Sequence, residues 1–156
     1  MELTHSLESD FVRHLAPKAP LVTSPTATVR ETIRLLQENQ AGCVLICDGQ
    51  NKAIGIFTER DVLRRVIGKR VDLDSPITDV MTTDLASVRE SDKIARAIQL
   101  LHERGLRHLP VLDDEGVPIG LITVRRVMEY LVEHFPQTIY NLPPDPSTIL
   151  EAREGA

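Results

Sequence analysis

Tryptophan is absent from the 156-residue chain, and aromatic residues make up only 3% of it. A binder of single-stranded nucleic acid stacks bases on aromatic rings, so that class loses its main contact. A net charge of −5 likewise gives a phosphate backbone little reason to dock. No apolar run approaches the roughly eighteen residues of a membrane span, and no basic helix suits a membrane surface. Met1 to Asp10 carry neither a basic start nor an apolar block, so no secretory signal is read and a cytoplasmic location is the expectation.

Cysteine is nearly as scarce. Cys43 and Cys47 stand four apart in an apolar stretch. On a strand they lie about 13 Å apart on one face, beyond the roughly 7 Å that a disulfide spans. Both read as small buried hydrophobes, with a reactive thiol as the alternative. Signatures of catalysis are missing too. The histidines, His108 among them, show no metal-ligand spacing with Cys or acids, and no Ser–His–Asp or Cys–His arrangement is evident. The glycines form no dinucleotide fingerprint. Asp61, introduced below, is a lone carboxylate without a partner acid, so neither an enzyme nor a metal site is expected.

What is present is a globular balance of 42% hydrophobic and 26% charged residues. Residues 1–19 read as a leader with a possible short helix, capped by Ser9 or Asp10 and carrying Phe11, Val12 and Leu15. Leu21-Val22-Thr23 is a short strand. Thr28 to Asn39 is an amphipathic helix opened by a Thr28–Glu31 capping box. Cys43 to Cys47 is a strand apolar on both faces, and Ala53 to Phe57 follows it after a turn. A helix then runs from Asp61 to about Ile67. Residues 71–83 read as a linker. Ala86 to Val88, a helix from Ser91 or Asp92 to Gly105, strands at Arg107–Leu112 and Val117–Ile122, and a helix from Thr123 to about His134 repeat the order. Residues 136–156 form a Pro-rich tail with a frayed end.

The repeat is the strongest organisational signal. A shift of 65 without gaps aligns Ile33 with Ile98, Leu36 with Leu101, Asp48 with Asp113, Gly55 with Gly120, Thr58 with Thr123 and Arg60 with Arg125. Units of about 60 residues bury too little surface to stand alone comfortably. The halves, 20–70 and 84–135, are therefore expected to pack on each other through their apolar strands. The fold class is α+β, a sandwich of two pseudo-symmetric β-α-β-β-α repeats.

The chain is organised around Gly55-Ile56-Phe57-Thr58-Glu59-Arg60-Asp61, where a strand runs straight into a helix. Free N–H groups and the positive end of a helix favour an anion such as phosphate. A carboxylate beside them can accept both hydroxyls of a ribose. The plainer reading of Thr58 and Asp61 is a helix cap, which does not exclude a ligand. The same stretch returns as Gly120 to Arg126, with a guanidinium where Asp61 stood. Arg126 donates and cannot accept from ribose hydroxyls. The second site is then empty, filled by Arg126 itself, or adapted to a more phosphate-rich ligand.

The order of elements, doubled, together with Gly55 to Arg64, Thr78-Asp79-Val80-Met81-Thr82, Gly105 to Asp113 and Gly120 to Val127, resembles a stand-alone tandem pair of cystathionine-β-synthase (CBS) domains, the Bateman module. The resemblance covers roughly Pro20 to His134. It implies a cleft with two pseudo-equivalent sites for AMP, ADP, ATP or a related adenosyl ligand such as S-adenosylmethionine. Asp61 would hold the ribose, Thr58 and the helix N-terminus would lie near the phosphates, and apolar strand residues would sandwich the adenine. It also implies a flat homodimer through the junction helices, a regulatory role toward an unidentified partner protein, and no catalysis. No cofactor is required. Thr58, Asp61, Arg60, Thr23, Arg107 and Thr123 are the candidate ligand residues. Arg107 reads either as a phosphate contact or as a solvated strand end, and Arg60 and Arg125 as phosphate contacts or exposed first-turn residues. The alternative function is an oligomerisation module with a vestigial pocket. In place of Asp79-Val80-Met81-Thr82 the first half has His14-Leu15-Ala16-Pro17, so its lead-in strand is expected to differ.

Overall fold

A computed structural model describes residues 2–135; the proline-rich tail lies outside the described residues. Helix α1 (Glu2–Ser9) and a 3-10 turn at Val12–Leu15 precede strand β1 (Val22–Thr23), helix α2 (Val29–Glu38), strands β2 (Cys43–Cys47) and β3 (Ala53–Thr58), and the short helix α3 (Glu59–Asp61). A π-helical turn at Val62–Ile67 continues α3. After a 3-10 turn at Ile77–Asp79 come α4 (Ile94–Glu103), β4 (His108–Leu112), β5 (Pro118–Thr123) and α5 (Val124–His134). Among the described residues no helix is long and apolar enough to cross a membrane.

Sequence chemistry accounts for these elements. Thr28 and Glu31 close a reciprocal capping box that starts α2. All five residues of β2 are buried, as its unbroken apolar run requires of a central strand. Asp48 and Asp113 each accept backbone N–H bonds two and four residues on, which closes the two hairpin turns. The expected strand at Ala86–Val88 shrinks to a single parallel bridge, Val88 to Val111. The expected leader helix is also different. Its chain breaks at Asp10, because Ile94 N–H donates to the Asp10 carbonyl and Val12 N–H to the Asp92 carbonyl. Phe11 becomes extended instead of helical, and the helix lies wholly before it.

Two sheets result, and they share one plan. In the first, β1 runs parallel to β2, β2 antiparallel to β3, and Thr82 bridges Ile56 on the far side of β3. In the second, Val88 bridges β4 in parallel, β4 pairs β5 antiparallel, and Lys18 bridges Leu121 on the far side. Residues read as leader and linker therefore supply an outer bridge to each sheet, and they do so crosswise. Val12 and Leu15 are buried with Ile94, Leu109, Ile122 and Tyr130 of the second repeat. Ile77 and Val80 are buried with Val44, Ile46 and Phe57 of the first.

The two lead-in segments differ by one residue. A 65-residue shift equates Thr82 with Pro17, yet Lys18 makes the bridge. Proline has no N–H to give the ladder, so the next residue takes the place. Ala16, at a left-handed φ of 47°, absorbs the extra residue. Gly55 and Gly120 let these segments approach: a Cβ at Gly55 would meet the Met81 thioether, and one at Gly120 would meet Pro17 Cβ at 2.6 Å.

Candidate functional site

Thr58 ends β3 in extended conformation and caps α3. Its backbone N–H donates to Asp61 Oδ2 at 2.9 Å and its hydroxyl to the same oxygen at 3.2 Å, while Asp61 N–H returns a bond to Thr58 Oγ1 at 3.3 Å. Asp61 Oδ1 takes no part in this box. It receives only a charge contact from Arg65 Nε at 3.4 Å. One carboxylate thus divides its work. One oxygen closes the cap, and the other keeps both acceptor positions open beside a cation. Asp61 is 8% exposed overall, so only a narrow opening leads to its carboxylate, with the half-exposed Arg65 beside it.

Arg65 also donates from Nη1 to the Met81 carbonyl at 3.1 Å and the Val80 carbonyl at 3.5 Å. It ties the junction to the segment that bridges Ile56. At the second junction Thr123 caps α5 by accepting from Arg126 N–H at 3.0 Å. Arg126 is not free for an anion. Its Nε donates to the Leu15 carbonyl at 2.7 Å, and its Nη1 meets Glu129 at 3.4 Å and Glu133 at 3.5 Å. The Arg126 guanidinium is thus engaged by one backbone carbonyl and two carboxylates.

The six candidate residues fall into separate places. Thr58 and Asp61 are joined, and Arg60 is exposed beside them, reaching the Gly105 carbonyl of the other repeat at 3.5 Å. Thr123 and Arg107 belong to the second junction, where the exposed Arg107 gives its carbonyl to Val124 N–H at 3.1 Å. Thr23 is half-buried on the outer strand β1, its backbone in register with Ile46, and no hydrogen bond links it to either junction.

Sequence reasoning passed over Arg65, although an Asp and an Arg four apart on a helix is a readable ion-pair spacing. It also gave His108 no part in the contact between repeats. The His108 ring lies on Gly42, where a Cβ would come within 2.6 Å of Nε2. Burial lowers the His108 pKa; Glu59 opposes this and Arg107 reinforces it. Cys43 and Cys47 are free and buried, and burial pushes the Cys43 thiol up to about 12. Among the described residues no group of three His, Cys, Asp or Glu could hold a metal ion.

Among the described residues, the surface depressions include two of the best formed. One of about 550 Å³ lies between α2 and the π-helical turn, lined by Ile33, Leu36, Ala41, Val62 and Leu63 among others. The second, of about 210 Å³, is lined by Arg13, Pro17, Glu90, Val111 and Ile119. Neither is lined by Thr58 or Asp61.

Two crosswise-supplied sheets, each running into a capped helix, define a duplicated α/β module with its polar chemistry at the strand–helix junctions. The CBS domain family matches this chain twice, over residues 12–68 and 77–133, and the chain belongs to that family. Both matches begin at the crossed lead-in segments. An uncharacterized 17.7 kDa protein of Acidianus ambivalens is 30% identical over 122 residues, covering 78% of this chain and 73% of its own length. The mitochondrial CBS domain-containing protein CBSX3 of Arabidopsis thaliana is 32% identical over 120 residues, 74% of this chain and 58% of its own. This chain spans only 22% of a longer relative, the inosine-5'-monophosphate dehydrogenase of Methanocaldococcus jannaschii. Among solved structures, the CBS domain protein PAE2072 of Pyrobaculum aerophilum, complexed with AMP, superimposes with a TM-score of 0.70 at 24% identity, covering 75% of this chain and 89% of that one. The CBS domain pair of protein MJ0100, in complex with 5'-methylthioadenosine and S-adenosyl-L-methionine, gives 0.71 at 18% identity, covering 78% and 99%. At such identities the likeness is one of fold.

Proposed function

We propose that this chain is a regulatory sensor that takes an adenosine nucleotide, or a related adenosyl ligand, at the Thr58–Asp61 junction and signals its presence to a partner protein. The observation that carries this reading is the divided carboxylate. Asp61 Oδ1 stands beside the start of a helix with no hydrogen bond of its own, and a ribose hydroxyl supplies the missing donor. The adenosyl ligands of the PAE2072 and MJ0100 structures support it as the ligand class. One site per chain is expected, because Arg126 fills its own junction. Residues 20–70 and 84–135 serve as the two lobes, with the crossed lead-in segments as their fastening. Thr58 and Arg60 lie near the phosphates. Arg107 and Thr123 belong to the second junction, Thr23 to the outer strand of the first sheet, and all three contribute less.

Exposed apolar side chains support a homodimer through the junction helices. Leu63 and Met128 occupy equivalent positions 65 apart and are 66% and 49% exposed. Ile67 and Val124, each four residues from one of these, are exposed apolar side chains as well. The alternative, an oligomerisation module with a vestigial pocket, draws on this surface and on the narrow opening at Asp61.

Calorimetry with AMP, ADP, ATP and S-adenosylmethionine separates the two readings. One adenosyl ligand bound per chain is the expected result. Heat-silent titrations with all four at millimolar concentration overturn the sensor and leave the oligomerisation module. Light scattering should give a dimer, and the Leu63→Asp, Met128→Asp double variant a monomer. A wild-type monomer overturns the dimer.

A further inference from the structure

We propose that Arg65 is the positioning residue of this site: it fixes the free oxygen of Asp61 to receive the ribose 2′-hydroxyl and ties that oxygen to the Val80–Thr82 lead-in segment. The inference rests on the nucleotide reading above and adds the residue that makes the junction selective. Thr58 holds only Oδ2, through two bonds. Those bonds limit rotation about the Cβ–Cγ bond but place no donor on Oδ1. Arg65 Nε, at 3.4 Å from Oδ1, adds a charged contact on that oxygen's side and narrows the swing that remains. The guanidinium is itself held by the Met81 carbonyl at 3.1 Å. Two anchored ends make Arg65 a strut between the candidate ribose acceptor and the segment whose Thr82 bridges Ile56.

The second repeat isolates this role. There, too, a guanidinium holds the lead-in segment, with Arg126 Nε on the Leu15 carbonyl. Leu15 and Val80 are equivalent under the 65-residue shift. Tethering the lead-in segment is therefore common to both repeats. Contact with an acceptor carboxylate at the junction belongs to Arg65 alone. The residue sits on the π-helical turn, a widened helix geometry that recurs at functional sites.

A strut that orients an acceptor acts on selectivity for the hydroxyl it faces. Losing a well-placed hydrogen bond to a charged acceptor is worth roughly tenfold in affinity. The test is calorimetry with AMP and 2′-deoxy-AMP on the full chain, for wild type, Arg65→Met and Arg65→Lys. Methionine keeps most of the apolar stem without the charge. Wild type is expected to prefer AMP about tenfold, Arg65→Met about twofold, and Arg65→Lys, with one point of attachment instead of a fork, an intermediate value. A general structural weakening lowers both affinities and leaves the ratio alone. An unchanged ratio in Arg65→Met overturns the inference, and so does tighter AMP binding, which would make Arg65 a plug. If Arg65→Met fails to fold, Arg65→Lys decides, and a wild-type ratio in it overturns the inference. A wild type that binds neither nucleotide overturns the site reading, and this inference falls with it. A wild type that binds AMP with the Arg65→Met ratio unmoved overturns this inference alone.

Discussion

In the first repeat the guanidinium that ties down the lead-in segment comes from Arg65, one turn beyond Asp61. In the second it comes from Arg126, at the position of Asp61 itself. The same mechanical task is met from two helix positions, and the choice decides what each junction has left. Where the cation sits one turn on, a carboxylate fits beneath it and keeps an open oxygen. Where the cation sits at the cap, no acceptor remains, and Glu129 and Glu133 neutralise it. The position one turn on is then taken by Tyr130, buried against the second core with its hydroxyl bonded to Asp10. Burial first, and that bond second, push the Tyr130 phenol up to about 12, so it remains a neutral donor. The two repeats thus keep the same fastening while differing in the group that stands at the cap.

The largest expected effect breaks the comparison at its charged positions. Asp61→Ala should lower AMP affinity by roughly 100-fold, the loss of two hydrogen bonds to a charged acceptor. Arg126→Ala should leave that affinity within about twofold. It should cost about 1–2 kcal/mol of stability instead, because the Leu15 carbonyl loses its donor. Calorimetry and urea unfolding read the two quantities separately. Equal losses of affinity would mean that both junctions contribute to the site.

A smaller effect tests the lead-in segments. Gly120→Ala sets a Cβ against the rigid ring of Pro17, whereas Gly55→Ala sets one against the flexible end of Met81. Overpacking costs about 1–3 kcal/mol where neighbours cannot yield. Gly120→Ala should fall in that range, and Gly55→Ala below about 1 kcal/mol, by denaturant midpoint at constant slope. The reverse order would place the stiffer contact on the first repeat.

Much of this architecture was legible in the sequence, and for a physical reason. Periodicity and turn chemistry are local, so α2, β2, β3, α4, β4 and β5 appear close to where Val29, Cys43, Ala53, Ile94, His108 and Pro118 begin them. The cap at Thr58 and Asp61 is local as well. What could not be read was long-range. Val12 and Leu15 look like one face of a leader helix, and only the backbone of residues 92–94, which captures Asp10 and Val12, turns them into core of the distant repeat. Arg65 has a readable spacing from Asp61, but its bonds to Val80 and Met81 cross 15 and 16 residues that no pattern ties together. His108 resembles any strand end until Gly42 of the other repeat is placed against its ring.

That contact supplies the smallest and most selective comparison, since His108 and Cys43 are equivalent under the 65-residue shift. Both begin a central strand, and burial favours the neutral form of each, with opposite consequences for pH. The Cys43 thiol is raised from 9.0 to about 12, so its contribution is complete below pH 9 and fades only as pH rises through that interval. His108 is lowered from 6.5, chiefly by burial, with Glu59 pulling against the shift and Arg107 reinforcing it. Its contribution is complete above pH 6.5, where the unfolded chain is also neutral. It is lost as pH falls toward the depressed folded value, because the unfolded state then binds the extra proton. Below pH 9, the repeats should therefore part company only on the acid side. The melting temperature should drop by a few degrees between pH 7.5 and 5.5, and His108→Gln should flatten that part of the curve. Cys43→Ser should leave it unchanged in shape. A slope that survives His108→Gln would place the acid sensitivity in other groups, and the His108–Gly42 contact would then be packing without a pH role.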